Sequence, residues 1–164
     1  MEFEIKDGVE NYEELLPQVE AILNNEEPII TNLSNFTALL KQSFKKISWV
    51  GFYFINSDKL VLGPFQGKVA CTIIKIGKGV CGTSAAKRET IIVENVHEFP
   101  GHIACDGGSN SEIVVPLISN NKLIGVLDLD SYEFSAFNEN DRLYLEKFCE
   151  LLVNKLDFNK FSIS

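Results

Sequence analysis

The 164-residue chain contains no apolar run of bilayer-spanning length. Its four Cys include no CxxC pair, and it holds only two His. Positive charge is scarce, with fifteen Lys and Arg against twenty-three Asp and Glu, for a net charge of -8. Each shortage excludes something. Without the apolar run, no transmembrane helix is expected. Without a basic face, no phosphate backbone is neutralised, so no nucleic-acid partner is expected. The same balance argues against an anionic membrane surface. The opening residues, MEFEIKDGVE, have neither a basic n-region nor an apolar h-region. They do not read as a secretory signal, and a cytoplasmic setting is expected. Cysteines in that setting are free thiols, metal ligands or redox groups rather than a disulfide framework. His97, His102 and Cys105 lack a compact ligand pair beside them, so no structural zinc is expected.

What is present is material for a core. The hydrophobic share is 45% and the charged share 23%, with twelve Phe, four Tyr and one Trp. This is a globular balance, and the length predicts a single domain over residues 1–164. Apolar residues at helical spacing predict helices over Gly8 to Asn24, with Pro17 an awkward interruption, and over Thr31 to Phe44. Ile47 to Ile55 reads as a buried strand, and Lys59 to Phe65 returns after Asn56-Ser57-Asp58 as its hairpin partner. Val69 to Ile76 reads as a third strand, GVCGTSAAK at Gly79 to Lys87 as a short helix, and Thr90 to Glu94 as a short strand. Asn95 to Ser111 is a long loop, of a kind that compact domains keep for function. Glu112 to Ile118 and Lys122 to Asp130 form a second hairpin, and Asn138 to Leu156 an amphipathic helix. Terminal helices and central hairpins give an α+β domain, with a mainly antiparallel sheet and helices packed on it.

Three features carry chemistry. Cys149 and Cys81 read first as small buried hydrophobes, Cys149 beside Phe148 and Cys81 among small residues. Cys105 differs, because it lies in the long loop between His102 and Gly107-Gly108. A loop Cys of that kind is a candidate nucleophile. The second feature is Asp128 and Asp130, two apart and therefore on one face of a strand, with a solvated strand end as the plain alternative. Glu112 joins that face if the hairpin pairs residues whose numbers sum to 242, and leaves it if they sum to 241. The third is the aromatic set Trp49, Phe52 and Tyr53. Core packing is their default, but an aromatic wall beside acids also suits a small ligand with an ammonium group and an apolar arm.

Five segments together resemble a known family: WVGFYF at Trp49 to Phe54, GPFQGKVACTIIKIGKGVCG at Gly63 to Gly82, HIACD at His102 to Asp106, SEIVVPL at Ser111 to Leu117, and IGVLDLDS at Ile124 to Ser131. They resemble the free methionine-(R)-sulfoxide reductases, small enzymes built on a GAF domain. The resemblance implies a GAF-like fold and reduction of free methionine-(R)-sulfoxide without a cofactor. It implies that Cys105 attacks the sulfoxide sulfur and becomes a sulfenic acid, that Cys71 resolves it as a disulfide, and that thioredoxin reopens the bond. Cys81 is the alternative resolver. Glu112, Asp128 and Asp130 would protonate the oxygen and hold the substrate ammonium, and Trp49 and Tyr53 would hold the S-methyl end. A homodimer is left open. The competing readings are a non-catalytic GAF-type sensor of a small effector and a redox-sensing domain.

Overall fold

The computed structural model describes residue 8 and residues 10–102 and 107–163. Six strands form one sheet: β1 Trp49–Asn56, β2 Lys59–Gln66, β3 Ile73–Lys75, β4 Ile91–Val93, β5 Ser111–Ser119 and β6 Lys122–Ser131. Their order is β3-β2-β1-β6-β5-β4, and every pair is antiparallel. Two hairpins, β1–β2 and β5–β6, are joined side by side through β1 and β6. Asn120 and Asn121 both take positive φ in the β5–β6 turn, a conformation that Asn tolerates better than other side chains with a Cβ. Four helices complete the α+β fold: α1 Tyr12–Ile22, α2 Ile29–Ser43, α3 Gly79–Lys87 and α4 Glu139–Lys155. No helix among the described residues is long and apolar enough to cross a membrane.

Period-2 alternation divides the sheet into two faces. Val50, Phe52 and Phe54 of β1 point to one face with Ile113, Val115 and Leu117 of β5 and Leu127 and Leu129 of β6. These residues pack against Leu15 and Val19 of α1, Phe36 and Leu40 of α2, and Leu145, Phe148 and Leu152 of α4. The intervening residues, Trp49, Tyr53, Val114 and Val126, point the other way, against Val80, Cys81 and Ala85 of α3. That second face carries the acids.

The first and last long helices meet on the first face. Tyr12 stacks on Tyr144 with ring centroids 5.2 Å apart, and its hydroxyl donates to Asp141 at 2.5 Å. Lys46 completes the knot with Nζ 2.7 Å from the same carboxylate. Asp141 also closes a capping box with Asn138, which fixes the start of α4.

Two elements, α1 and β3, differ most from the sequence expectation. α1 begins at Tyr12 rather than Gly8, because Asn11 caps it by accepting from the amides of Glu13 and Glu14. Pro17 sits inside α1 without ending it. It lies on the exposed side, while Tyr12, Leu15, Val19 and Ile22 stay buried opposite. The strand expected over Val69 to Ile76 shrinks to Ile73–Lys75. The preceding residues are held instead by side chains of β1.

Candidate active site

The site grows from the register of three neighbouring strands. Glu112 of β5 lies opposite Asp130 of β6, and Val114 opposite Asp128. Residue numbers therefore sum to 242, and all three carboxylates share a face. On the other side of β6, Trp49 pairs with Asp130, Gly51 with Asp128 and Tyr53 with Val126. The aromatic wall and the acids thus lie side by side.

Gly51 makes the wall possible. A Cβ there would sit 2.5 Å from the Trp49 ring and 2.5 Å from Phe65 Cβ. Glycine lets the indole lie flat across the sheet, stacked on Phe65 with centroids 5.4 Å apart and on Tyr53 at 6.0 Å. The polar ends of both rings hold the neighbouring segment. Trp49 Nε1 donates to the Lys68 carbonyl at 3.0 Å, and the Tyr53 hydroxyl donates to the Cys71 carbonyl at 2.9 Å. Gly67, with φ of +134°, turns the chain past the indole. Cys71 is therefore fixed at its backbone, and its sulfur is in a disulfide, whereas Cys81 and Cys149 are free thiols.

α3 closes the face from above. Cys81 lies in its first turn and is buried with its sulfur toward the acids. Ligand atoms of Cys81, Glu112 and Asp128 all lie within 4.8 Å of one another. A cavity of about 50 Å³ opens at this cluster, lined by Trp49, Tyr53, Cys81, Glu112, Asp128 and Asp130. Ala70 lines it too, next to Cys71, as do Lys78, Gly79, His102 and Ser109. Asp128 Oδ1 and Ser109 Oγ are buried and have no hydrogen-bond partner among the described residues. A far larger cleft, about 1200 Å³, lies between α1, α2 and the start of α4. None of its lining residues is Cys or His, and its buried acid, Asp141, is already paired with Lys46. The small cavity is the one lined by the unpaired acids and Cys81.

Burial sets the proton arrangement. It raises Glu112 well above the ordinary carboxyl range, and the charges of Asp128 and Asp130 push further in the same direction. Asp128 is pushed up to about 6 by burial, with hydrogen bonds from Glu112 and Cys81 holding it down. The pair therefore holds a proton more readily than free carboxyls do, in the hydrogen bond between Glu112 and Asp128. Cys81 is raised well above the ordinary thiol value by burial first and then by Asp128, Glu112 and Asp130. It is a thiol, not a thiolate, at neutral pH. The composition of α3 suggested packing alone for Cys81, because composition does not reveal which way a helix is turned. Ser109 and Lys78 carry no signal in the sequence, and His102 stood there only as a zinc ligand without a compact pair. Gly51 carried a legible signal, as a lone glycine inside an aromatic and β-branched strand. Cys105 lies outside the described residues.

The chain is similar to known proteins along most of its length. A family model described as GAF domain matches residues 35–157. The free methionine-R-sulfoxide reductase of Escherichia coli (strain K12) is 45% identical over 158 residues, covering 94% of this chain and 96% of that protein. The chain belongs to the free methionine-R-sulfoxide reductase family of GAF domains. The family's enzyme from Saccharomyces cerevisiae is 46% identical over 151 residues, covering 87% of this chain and 83% of its own length. The solved structure of the Neisseria meningitidis reductase, in complex with its substrate, superposes with a TM-score of 0.86 at 46% identity, covering 94% of this chain and 93% of that one. The GAF architecture, the antiparallel sheet and the oxidoreductase class expected from sequence are those of this family.

Proposed function

We propose that this chain reduces free methionine-(R)-sulfoxide to methionine, with Cys105 as nucleophile and Cys71 as its resolving partner. One observation carries the reading. Cys71 is disulfide-bonded beside a cavity walled by Glu112, Asp128 and Asp130, while Cys81 and Cys149 are free. A chain with an oxidised cysteine at the rim of its acid cluster is poised for thiol chemistry there.

The steps follow from the protonation pattern. The Cys105 thiolate attacks the sulfoxide sulfur, and Glu112 delivers its proton to the leaving oxygen. The oxygen passes to Cys105, which becomes a sulfenic acid as methionine is released. The Cys71 thiol condenses with that sulfenic acid, forming the disulfide and releasing water. An external dithiol then reopens the bond and is itself oxidised; thioredoxin is the expected reductant, in a cytoplasmic setting that keeps it reduced. Cys81 is a poor resolver, because burial among acids keeps its sulfur protonated.

Binding divides along the cavity. Asp128 and Asp130 take the substrate ammonium, and the orphaned Asp128 Oδ1 supplies an acceptor for it. Trp49 and Tyr53 face the S-methyl end. Lys78 and the first turn of α3 suit the carboxylate. The same buried acids repel a phosphate, which weighs against a cyclic-nucleotide sensor. The test is turnover with a dithiol reductant on four substrates: free R-sulfoxide, free S-sulfoxide, N-acetyl R-sulfoxide and an oxidised protein. Only the free R-epimer is reduced. Comparable rates on the N-acetyl compound would remove the ammonium from the reading and overturn it.

A further inference from the structure

Glu112 and Asp128 are each 6% exposed, and Cys81 is 4% exposed, yet no Lys or Arg pairs with them among the described residues. Buried acids without a cation are costly, and such a cluster is complementary to one. The three donors are also unlike each other. Cys81 offers a soft sulfur, and the two carboxylates offer oxygens. Four-coordinate zinc places sulfur at about 2.3 Å and carboxylate oxygen at about 2.0–2.2 Å, which sets its ligand atoms roughly 3.5 Å apart. Donors already within 4.8 Å of one another reach that geometry by small side-chain rotations. Their backbones are held in place. Glu112 and Asp128 stand on paired neighbouring strands, and Cys81 sits at the start of a helix packed on them.

A second observation points to a ligand independently of the acid count. Asp128 Oδ1 is fully enclosed, borders the cavity and accepts from nothing among the described residues. Hydrogen bonds within the cluster leave this atom over. The cavity then provides a fourth, open position beside the three donors.

We propose that Cys81, Glu112 and Asp128 bind a thiophilic divalent cation, Zn²⁺ or Cd²⁺, in the place assigned above to the substrate ammonium. The thiol proton and the carboxyl proton leave to solvent as the metal–sulfur and metal–oxygen bonds form, and no electron is transferred. The site exists apart from turnover, and rests on the proposed function only in its overlap with the ammonium position. A bound cation blocks that position and makes the protein a target of soft-metal inhibition, separate from any attack on the redox pair.

The experiment uses Cd²⁺ and the full-length Cys71→Ser/Cys105→Ser protein, which removes the redox thiols. Ultraviolet absorption reports sulfur-to-cadmium charge transfer. The band saturates at one equivalent, disappears when Cys81→Ser is added, and survives Cys149→Ser. Glu112→Gln and Asp128→Asn each weaken the titration at least tenfold while every remaining thiol is kept, so the outcome does not hang on the fold of the Cys81 variant. Absence of the band, its survival in Cys81→Ser, or unchanged affinity in both carboxylate variants would overturn the proposal. Adding free methionine sulfoxide separates the two readings. Displacement of cadmium supports the shared position, whereas tight cadmium binding that the amino acid never displaces supports the metal site and removes the ammonium from it.

Discussion

The two faces of one sheet are made from the same strands and solve opposite problems. The face under α1, α2 and α4 is apolar from end to end, with Phe36, Phe52, Phe54 and Phe148 fully buried. Its ring pairs, such as Phe36 with Phe148 at 6.2 Å, add direction to the packing. Its one buried carboxylate among the described residues, Asp141, has Tyr12, Lys46 and the Asn138 amide as partners. The face under α3 holds Glu112, Asp128 and Cys81 with no cation paired to them among the described residues. One face lowers the free energy of the fold, and the other spends part of that gain to keep acids dry. Activity and stability therefore separate by residue parity along β1, β5 and β6.

The sharpest way to break the comparison is Cys105→Ser. A hydroxyl is a far weaker nucleophile at neutral pH, so turnover vanishes, while the melting temperature stays within about a degree or two of that of the reduced wild type, in which the disulfide is open too. Near-normal turnover in that variant removes Cys105 from the reaction. The mirror experiment on the apolar face is Phe148→Ala. Its side chain is fully enclosed, and truncation of such a residue costs about 3–5 kcal/mol by denaturant unfolding, with the site's chemistry otherwise unchanged. A cost below about 1 kcal/mol would show that the helical face is not what holds the domain together.

The intermediate case is Glu112→Gln, which moves both quantities in opposite directions. Losing the proton source lowers kcat/KM by about 2–4 kcal/mol equivalent, read from steady-state kinetics. Removing a buried acid raises stability at neutral pH by an amount on the order of 1–3 kcal/mol. The sign follows from linkage. Asp128 titrates near 6 in the fold, above the ordinary carboxyl value of 3.8, and Glu112 is raised as well. Between those pH values the native state holds the extra proton, so this pair's contribution to stability falls as pH rises from about 4 to about 6. Denaturant midpoints across that window should show the fall in wild type and a shallower one in Asp128→Asn. An identical pH profile in the two proteins would place Asp128 in water.

Much of this division was legible in the chain. The alternation of Val50, Phe52 and Phe54 with Trp49 and Tyr53 marks the two faces, and the Asp128/Asp130 spacing marks a shared one. The hairpin register was not legible, because both sums place Glu112 at the correct end: the turn pairs Ser119 with Lys122, a sum of 241, and an irregularity between Leu117 and Ile118 shifts it to 242 at the acids. The third strand was overread. Val69 to Ile76 has strand-like composition, but Trp49 and Tyr53 donate to the carbonyls of Lys68 and Cys71, which gives that backbone side-chain partners in place of a ladder. Cys81 was underread, since a helix of small residues says nothing about its rotation.

The smallest expected effect comes from Gly51→Ala. The added methyl sits 2.5 Å from the indole and from Phe65 Cβ. Overpacking of that size costs about 1–3 kcal/mol. Because the strain falls on the wall of the cavity, KM for the sulfoxide rises more than kcat falls. An unchanged KM would mean that the ring does not border the bound substrate.

Trp49 is the only tryptophan in the chain. Its indole is tethered to Lys68, three residues before the disulfide-bonded Cys71. The molecule thus carries a native optical probe close to its disulfide. Opening the disulfide changes the quenching around a single fluorophore, so the oxidation state of the protein can be followed in real time by its intrinsic emission, with no label and no second tryptophan to subtract.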